Sequence, residues 1–366
     1  MSEHAVALVG TGDTSDPGPD GFAMAYQHAD AYEAIDGCEI VACADIVREN
    51  AEAFAAEYDI DDAHVYEDHA TMLSEADPDV VSISVPPAAH AEVAIDCARH
   101  PSVRAIHCEK PMALTWGGSR EMAEVATREE TQLTFNHQRR FGKPFRTAKE
   151  LLDSGAVGDL ERVAFAANNI YDYGSHSIDL CNYFADETPA EWVIGGIDYR
   201  TEDVYFGTHN ENQAILQWEY ETGVRGLGAT GPGESLVGAH NRIVGSAGEI
   251  EVGPHDTEAE LRIRRDGEGW ETVDTDGEGM HGPGYIERAI RDAVSAIEGD
   301  RASELRAENA LKATEIIFGC WESSRRRGRV DFPLTVDDNP LEAMVDSGDL
   351  QPDPPGDDDQ FSQDVS

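Results

Sequence analysis

Lysine is scarce in this 366-residue chain: Lys110, Lys143, Lys149 and Lys312 are its four. Lys110 stands in Glu109-Lys110-Pro111, just after Val103-Arg104-Ala105-Ile106-His107-Cys108, an apolar run that reads as a β-strand. An ammonium at the carboxyl end of such a strand lies where open α/β sheets hold ligands. There it can bind a hydroxyl oxygen and stabilise alkoxide character. His176 supplies the complementary chemistry. An imidazole with an ordinary pKa of about 6.5 can take a hydroxyl proton at neutral pH, worth about 10²–10⁴ in rate. Asp172 lies four residues earlier, on the same face if the segment is helical. It can orient His176, bind a hydroxyl, or cap the helix that starts there. Asp179 and Arg140 are weaker candidates for substrate contact.

The elements that must position these groups follow from the pattern of apolar residues. Val6 to Val9, Glu39 to Asp45, Val80 to Val85, Val103 to Cys108 and Gln132 to Asn136 read as strands, with helices near 23–35, 47–57 and 89–98 between them. Repeated β-α-β with apolar, non-alternating strands predicts an α/β domain over 1–137, a parallel sheet covered on both faces. After residue 158 the pattern alternates, with strands expected at 160–167, 191–199, 212–220, 224–230, 241–251 and 259–265. That predicts a second α/β domain over 138–335 built on a large, mostly antiparallel open sheet, with helices near 283–298 and 303–326. Residues 336–366 read as an acidic, partly disordered tail.

Gly10-Thr11-Gly12 follows the first strand, and two such glycines allow a tight turn and close approach of backbone to a pyrophosphate. The usual third position falls on Ala25, separated from Gly12 by twelve residues rather than two, so about ten residues are inserted over 13–24. The next marker checks this. Asp45 ends the second strand 33 residues past Gly12, and removing the insertion leaves roughly the spacing of 20 at which an acid binds the adenosine ribose. A carboxylate there favours NAD; Arg48 nearby keeps NADP open.

Composition narrows the partners. The net charge is −46, from 27 basic and 73 acidic residues. Such a surface repels itself at low salt, whereas at about 1 M salt a Debye length of roughly 3 Å screens the repulsion. An acidic, lysine-poor chain is therefore read as adapted to a salty cytoplasm, with no nucleic acid as partner. No apolar stretch is long enough for a membrane span. Six scattered cysteines without a CxxC pair suit reduced thiols, and no metal site is expected.

Several motifs in order give the chain a resemblance to the Gfo/Idh/MocA oxidoreductases across residues 5–335. Val85-Pro86-Pro87-Ala88-Ala89-His90 is similar to the family's cofactor-side loop, and Cys108-Glu109-Lys110-Pro111 matches its Glu-Lys-Pro motif. Asn136 to Phe141 and Leu152 to Gly158 resemble its crossing segment and helix-end turn. Asp172-Tyr173-Gly174-Ser175-His176-Ser177-Ile178-Asp179 matches its DxGxHxxD signature. The resemblance implies a Rossmann domain that binds NAD or NADP through Gly10, Gly12, Ala25, Asp45, Pro86, Pro87, His90, Glu109 and Lys110. It implies catalysis by Lys110, Asp172 and His176 on a sugar or polyol, and association into a homodimer or homotetramer. Two alternatives remain within it: a glycosidase that uses transient oxidation by NAD, and a non-catalytic dinucleotide-binding sensor.

Overall fold

The computed structural model describes residues 4–13, 23–299 and 301–354. Most of the inserted segment, 14–22, and the acidic end from 355 therefore lie outside the described residues. The chain divides into two compact units: Met1–Gln138 with Tyr205–Thr208 and Pro283–Leu311, and Arg139–Val204 with His209–Gly282 and Lys312–Ser366.

The first unit is a six-stranded sheet of β1 (His4–Val9), β2 (Cys38–Ala44), β3 (Val65–Tyr66), β4 (Val80–Ile83), β5 (Ala105–Cys108) and β6 (Gln132–Phe135). Its order is β3-β2-β1-β4-β5-β6 and every pairing is parallel. The order reverses between β1 and β4, which opens a crevice at the carboxyl ends of those strands. Helices α1 (Met24–Glu33), α2 (Arg48–Glu57), α3 (His69–Ala76), α4 (Pro87–Arg99) and α5 (Trp116–Arg128) alternate with the strands. The strands are apolar throughout because both faces are covered. Val6 and Leu8 enter one core with α1 and α2, while Ala7 and Val9 enter the other with α4 and α5.

The helix predicted at 283–298 forms as α8 (Pro283–Glu298), but it does not belong with the second sheet as its place in the chain suggested. Its stripe of Ile286 and Ile290 is buried in the core beside α1, with Val294 and Ile297 packed against it. Burying Ile290 alone contributes about 2 kcal/mol. Gln132 Nε2 also donates to the carbonyl of Ala293 (2.8 Å). The expected single boundary near residue 137 is thus replaced by a first unit that takes back a later segment.

The second unit carries a nine-stranded sheet. Its strands are β7 (Leu160–Ala167), β8 (Ala190–Asp198), β11 (Gln213–Tyr220), β12 (Arg225–Thr230), β13 (Ala239–Gly245), β14 (Gly248–Pro254), β15 (Leu261–Arg265), β16 (Glu271–Thr272) and β17 (Val330–Asp331). The short β9 (Val204–Tyr205) and β10 (Thr208–His209) form a separate ribbon. The order is β16-β15-β14-β13-β7-β12-β11-β8-β17; β7 and β12 run parallel and the other neighbours antiparallel. The single strand expected over 241–251 is in fact the hairpin β13–β14, turned at Ser246-Ala247 between paired Gly245 and Gly248. A two-residue loop flanked by glycines is a turn signal that the run of alternating residues obscured.

Helices α6 (Lys143–Asp153), α7 (Gly174–Phe184) and the later part of α9 (Ala307–Arg326) cover one face of this sheet. Alternation along β11 shows it: Ala214, Leu216, Trp218 and Tyr220 are buried, whereas Ile215 on the other face is 44% exposed, as is Ile194 of β8 at 43%. Part of the expected tail is also folded. Asn339 Oδ1 accepts from Leu341 N and Glu342 N to start α10 (Pro340–Asp346), which buries Leu341 and Met344. No described helix is long and apolar enough to cross a membrane.

Candidate active site

In the first unit the cofactor candidates gather at the carboxyl edge of the sheet. Gly10 and Gly12 both have positive φ, at 84° and 68°. Gly10 is also required by closeness, since a Cβ there would lie 2.7 Å from Val85 N. Asp45 fastens the turn. Its Oδ2 accepts from Gly12 N (2.9 Å) and the Thr11 hydroxyl (3.2 Å), and its Oδ1 from Val47 N (2.8 Å). Ala25 is fully buried on α1, so it lets that helix pack closely rather than offering surface to a ligand. Arg48, the residue that kept NADP open, donates to Glu52 (2.7 Å) and lies near Glu67 (3.9 Å).

Pro86 is exposed at the start of α4, with Pro87 in its first turn, where a missing N–H costs nothing. His90 departs from the expectation of a cofactor contact. It is fully buried, with Nδ1 2.9 Å from the Pro111 carbonyl and Nε2 2.7 Å from that of Val85. Both ring nitrogens face backbone, so the side chain is a strut between α4's entry loop and the Lys110-Pro111 segment.

Lys110 follows β5 directly, as the motif required, and is half-buried. The preceding Glu109 turns inward. Its Oε1 meets His28 Nε2 (3.0 Å) and accepts from Asn136 Nδ2 (2.7 Å), while Oε2 accepts from Lys110 N (3.1 Å). His28 Nδ1 in turn lies 2.8 Å from the Ser82 hydroxyl on β4. Burial opposes a charge on Glu109. The hydrogen bond and charge of His28, then Lys110 and Asn136, outweigh it and hold the carboxyl below its ordinary range. Glu109 is therefore a backing group that ties α1, β4, β5 and β6 together behind Lys110, rather than a group turned toward a cofactor. Sequence reading missed His28 and Asn136. A signal existed: His28 falls on the buried stripe of α1 with Ala25, Ala29 and Tyr32, and a polar ring there needs partners. His107 is a structural histidine, bonded to Thr134 Oγ1 (3.0 Å) and driven down to about 3 by burial.

In the second unit Asp172 and His176 are both buried, one in the turn before α7 and the other in its first turn. Asp172 lies one residue before the position that caps the helix. The residue at that position is Tyr173, and the acceptor for the Asp172 N–H (2.9 Å) and Tyr173 N–H (3.1 Å) is Asn169 Oδ1. Gly174 is needed here because a Cβ would lie 2.5 Å from the Asn169 carbonyl oxygen. The Ser175 hydroxyl donates to the Asp172 carbonyl (2.9 Å), closing the turn.

Arg140 and Asp179 correct the reading of both as substrate contacts, because they bind each other. Arg140 Nε and Nη2 donate to Asp179 Oδ2 and Oδ1 (2.6 and 2.7 Å), and Nη1 donates to Glu187 Oε1 (2.5 Å). Each is 1% exposed, which leaves no surface for a ligand. Burial works against the Arg140 charge, but Asp179 and then Glu187 raise its pKa well above the ordinary value.

Comparison with known proteins agrees with this edge. Residues 5–137 match the Gfo/Idh/MocA family, described as an oxidoreductase family with an NAD-binding Rossmann fold. The chain is 28% identical over 185 residues to inositol 2-dehydrogenase of Salmonella typhimurium, covering 47% of this chain and 51% of that protein. It is 30% identical over 158 residues to D-glucoside 3-dehydrogenase of Escherichia coli, covering 42% and 40%. The chain thus spans about half the length of the curated relatives it matches. Across 90% of its length it shares the fold of an Agrobacterium radiobacter oxidoreductase crystallised with NAD+, L-tartaric acid and magnesium, with a TM-score of 0.73, 18% identity and 98% of that chain covered. The matched residues 5–137 include the edge that carries Gly10, Asp45 and Lys110.

Proposed function

We propose that the protein is an NAD-dependent dehydrogenase acting on a secondary hydroxyl of a sugar or polyol. The observation that carries this reading is Lys110 at the carboxyl end of β5, backed by the buried Glu109–His28–Asn136 network, in a sheet whose β1–α1 turn is built of positive-φ glycines fastened by Asp45. Those residues fit a dinucleotide: positive-φ glycines let a pyrophosphate approach the backbone closely, and Asp45 suits a free ribose diol. Arg48 is engaged by Glu52, which supports NAD over NADP.

When bound, NAD supplies the hydride acceptor. Lys110 holds the substrate hydroxyl oxygen and stabilises the alkoxide character that grows as the proton leaves. His176 takes that proton, and Asp172 orients the base or binds a neighbouring hydroxyl. In the reductive direction the same groups polarise a carbonyl and return the proton. Association into a dimer or tetramer through the open face of the second sheet, where Ile194 and Ile215 are exposed, completes the reading. The acidic surface suits work in a salt-rich cytoplasm.

The test is a panel of sugars and polyols at molar salt, followed separately for NADH and NADPH. Sustained NADH formation is expected, and Lys110→Ala should lower kcat by about 10²–10⁴. Cleavage of a glycoside without net NADH would replace this reading by a glycosidase. Ligand-dependent regulation that survives Lys110→Ala, without turnover of any compound, would replace it by a sensor.

A further inference from the structure

Glu211 is a buried carboxylate that the proposed chemistry does not use. It sits just before β11 and is 1% exposed. Its described side-chain partners are neutral donors. Oε1 accepts from Ile170 N (2.7 Å) and from the Thr230 hydroxyl (3.4 Å), and Oε2 accepts from Trp321 Nε1 (3.0 Å). A carboxylate removed from water beside neutral groups is costly to keep and calls for an explanation.

The explanation lies in what its partners hold. Ile170 is the second residue of the turn Asn169–Tyr173, from which α7 starts with Asp172 and His176. Tyr171, next in that turn, packs its ring against Trp321 at 5.6 Å between centroids and against Phe318 at 6.3 Å. Glu211 therefore restrains the turn twice, directly at the Ile170 amide and indirectly by fixing the indole on which Tyr171 rests. Asn169 Oδ1 gathers the Asp172 and Tyr173 amides from the other side. The backbone of Asp172 is held between these two polar groups.

We propose that Glu211 is a positioning residue for Asp172 and His176: its carboxylate sets the turn that aims both side chains. Its electrostatics make this restraint sensitive to pH. Burial pushes the carboxyl up to about 7, against the lowering hydrogen bonds of Ile170, Trp321 and Thr230. The titratable groups that face it are Tyr199, at the end of β8, and Cys320 on α9. Burial raises both, Tyr199 to about 12, so both are neutral where Glu211 changes charge. Protonation replaces a charged acceptor of two N–H groups by a neutral acid that accepts more weakly. In an opening confined to the turn, where Glu211 stays buried, this loosens the turn; in global unfolding the same proton favours the folded chain.

The catalytic consequence rests on the dehydrogenase reading; the effect on the turn does not. The experiment compares wild type with Glu211→Gln, whose amide keeps an acceptor for one of the two N–H donors, by hydrogen exchange of the 168–177 segment across pH. In wild type, protection corrected for intrinsic exchange should fall as pH drops through about 7. In the variant it should be lower by about tenfold and flat with pH. If Glu211→Gln does not fold, Trp321→Phe removes a single donor while keeping an aromatic ring, and a smaller loss in the same segment is expected. Unchanged protection at 168–177 in the folded variant overturns the proposal, whatever happens to global stability. On an active substrate, Glu211→Gln should lower kcat while leaving KM for NAD unchanged; equal loss in both would also overturn it. Failure of wild type to turn over any sugar or polyol sinks the dehydrogenase reading alone, because the exchange measurement still decides the role of Glu211.

Discussion

Glu109 in the first unit and Glu211 in the second are both glutamates removed from water, and their surroundings drive them in opposite directions. Burial raises the pKa of each. At Glu109 the His28 ring, Lys110 and Asn136 reverse that effect and keep the group ionised. At Glu211 the partners are neutral N–H and O–H donors, too weak to reverse it, and the carboxyl rises to about 7. The lesson is that depth alone does not set the charge of a buried carboxylate; the charge of its partner does. For function, the carboxylate behind Lys110 stays ionised across neutral pH, whereas Glu211, at the turn that precedes α7, changes charge within it.

Asp179 offers the severest test of that lesson, because it is as buried as Glu211 but paired with Arg140 in the same unit. If partner charge decides, Asp179→Ala leaves a buried guanidinium with Glu187 alone and should cost about 3 kcal/mol in denaturant unfolding at molar salt. A loss below about 1 kcal/mol would show that the pair carries little weight and would break the comparison.

A smaller effect is expected of Glu109→Gln, on the order of 2 kcal/mol at neutral pH. The folded carboxyl lies below its unfolded value of 4.5, so its contribution is present above 4.5 and lost as pH falls toward about 2. Wild type and variant should therefore converge in acid. Unfolding curves that stay parallel down to that limit would remove the ion pair as the cause.

The smallest effect, on the order of 1 kcal/mol, belongs to Glu211→Gln and has the opposite sign. Here the folded carboxyl lies above 4.5, so its stabilising share is complete below 4.5 and lost as pH rises through about 7. Melting temperatures of variant and wild type, compared over that window, should shift in the variant's favour as pH increases. A difference that is flat with pH would mean that Glu211 does not titrate there.

Much of this was open to reading from residues in order. Strands buried on both faces must be apolar along their length, so Val6-Ala7-Leu8-Val9 and Val80-Val81-Ser82-Ile83 declared a parallel sheet. Gly10, Asp45 and Lys110 could be placed because strand ends and tight turns impose local demands on residue type. Local rules also misled. The turn Gly245-Ser246-Ala247-Gly248 lies inside a run that alternates like a single strand. Glu211 gave no local sign at all, since its partners at 170, 230 and 321 lie far along the chain.

Lys110, Asp172 and His176 were named by motif, spacing and residue chemistry, and the sequence by itself determined the class of each element near them. Tertiary structure alone decided which polar groups face one another. It matched Arg140 with Asp179 and so withdrew both from the substrate, turned His90 onto two carbonyls, and set His28 behind Glu109. It also returned α8 to the first unit. The physical reason is common to all four. Periodicity reports that a residue is buried, but the charge or carbonyl that meets it comes from a distant segment. For a buried polar group, that partner decides whether it serves structure, titrates, or stays available for chemistry.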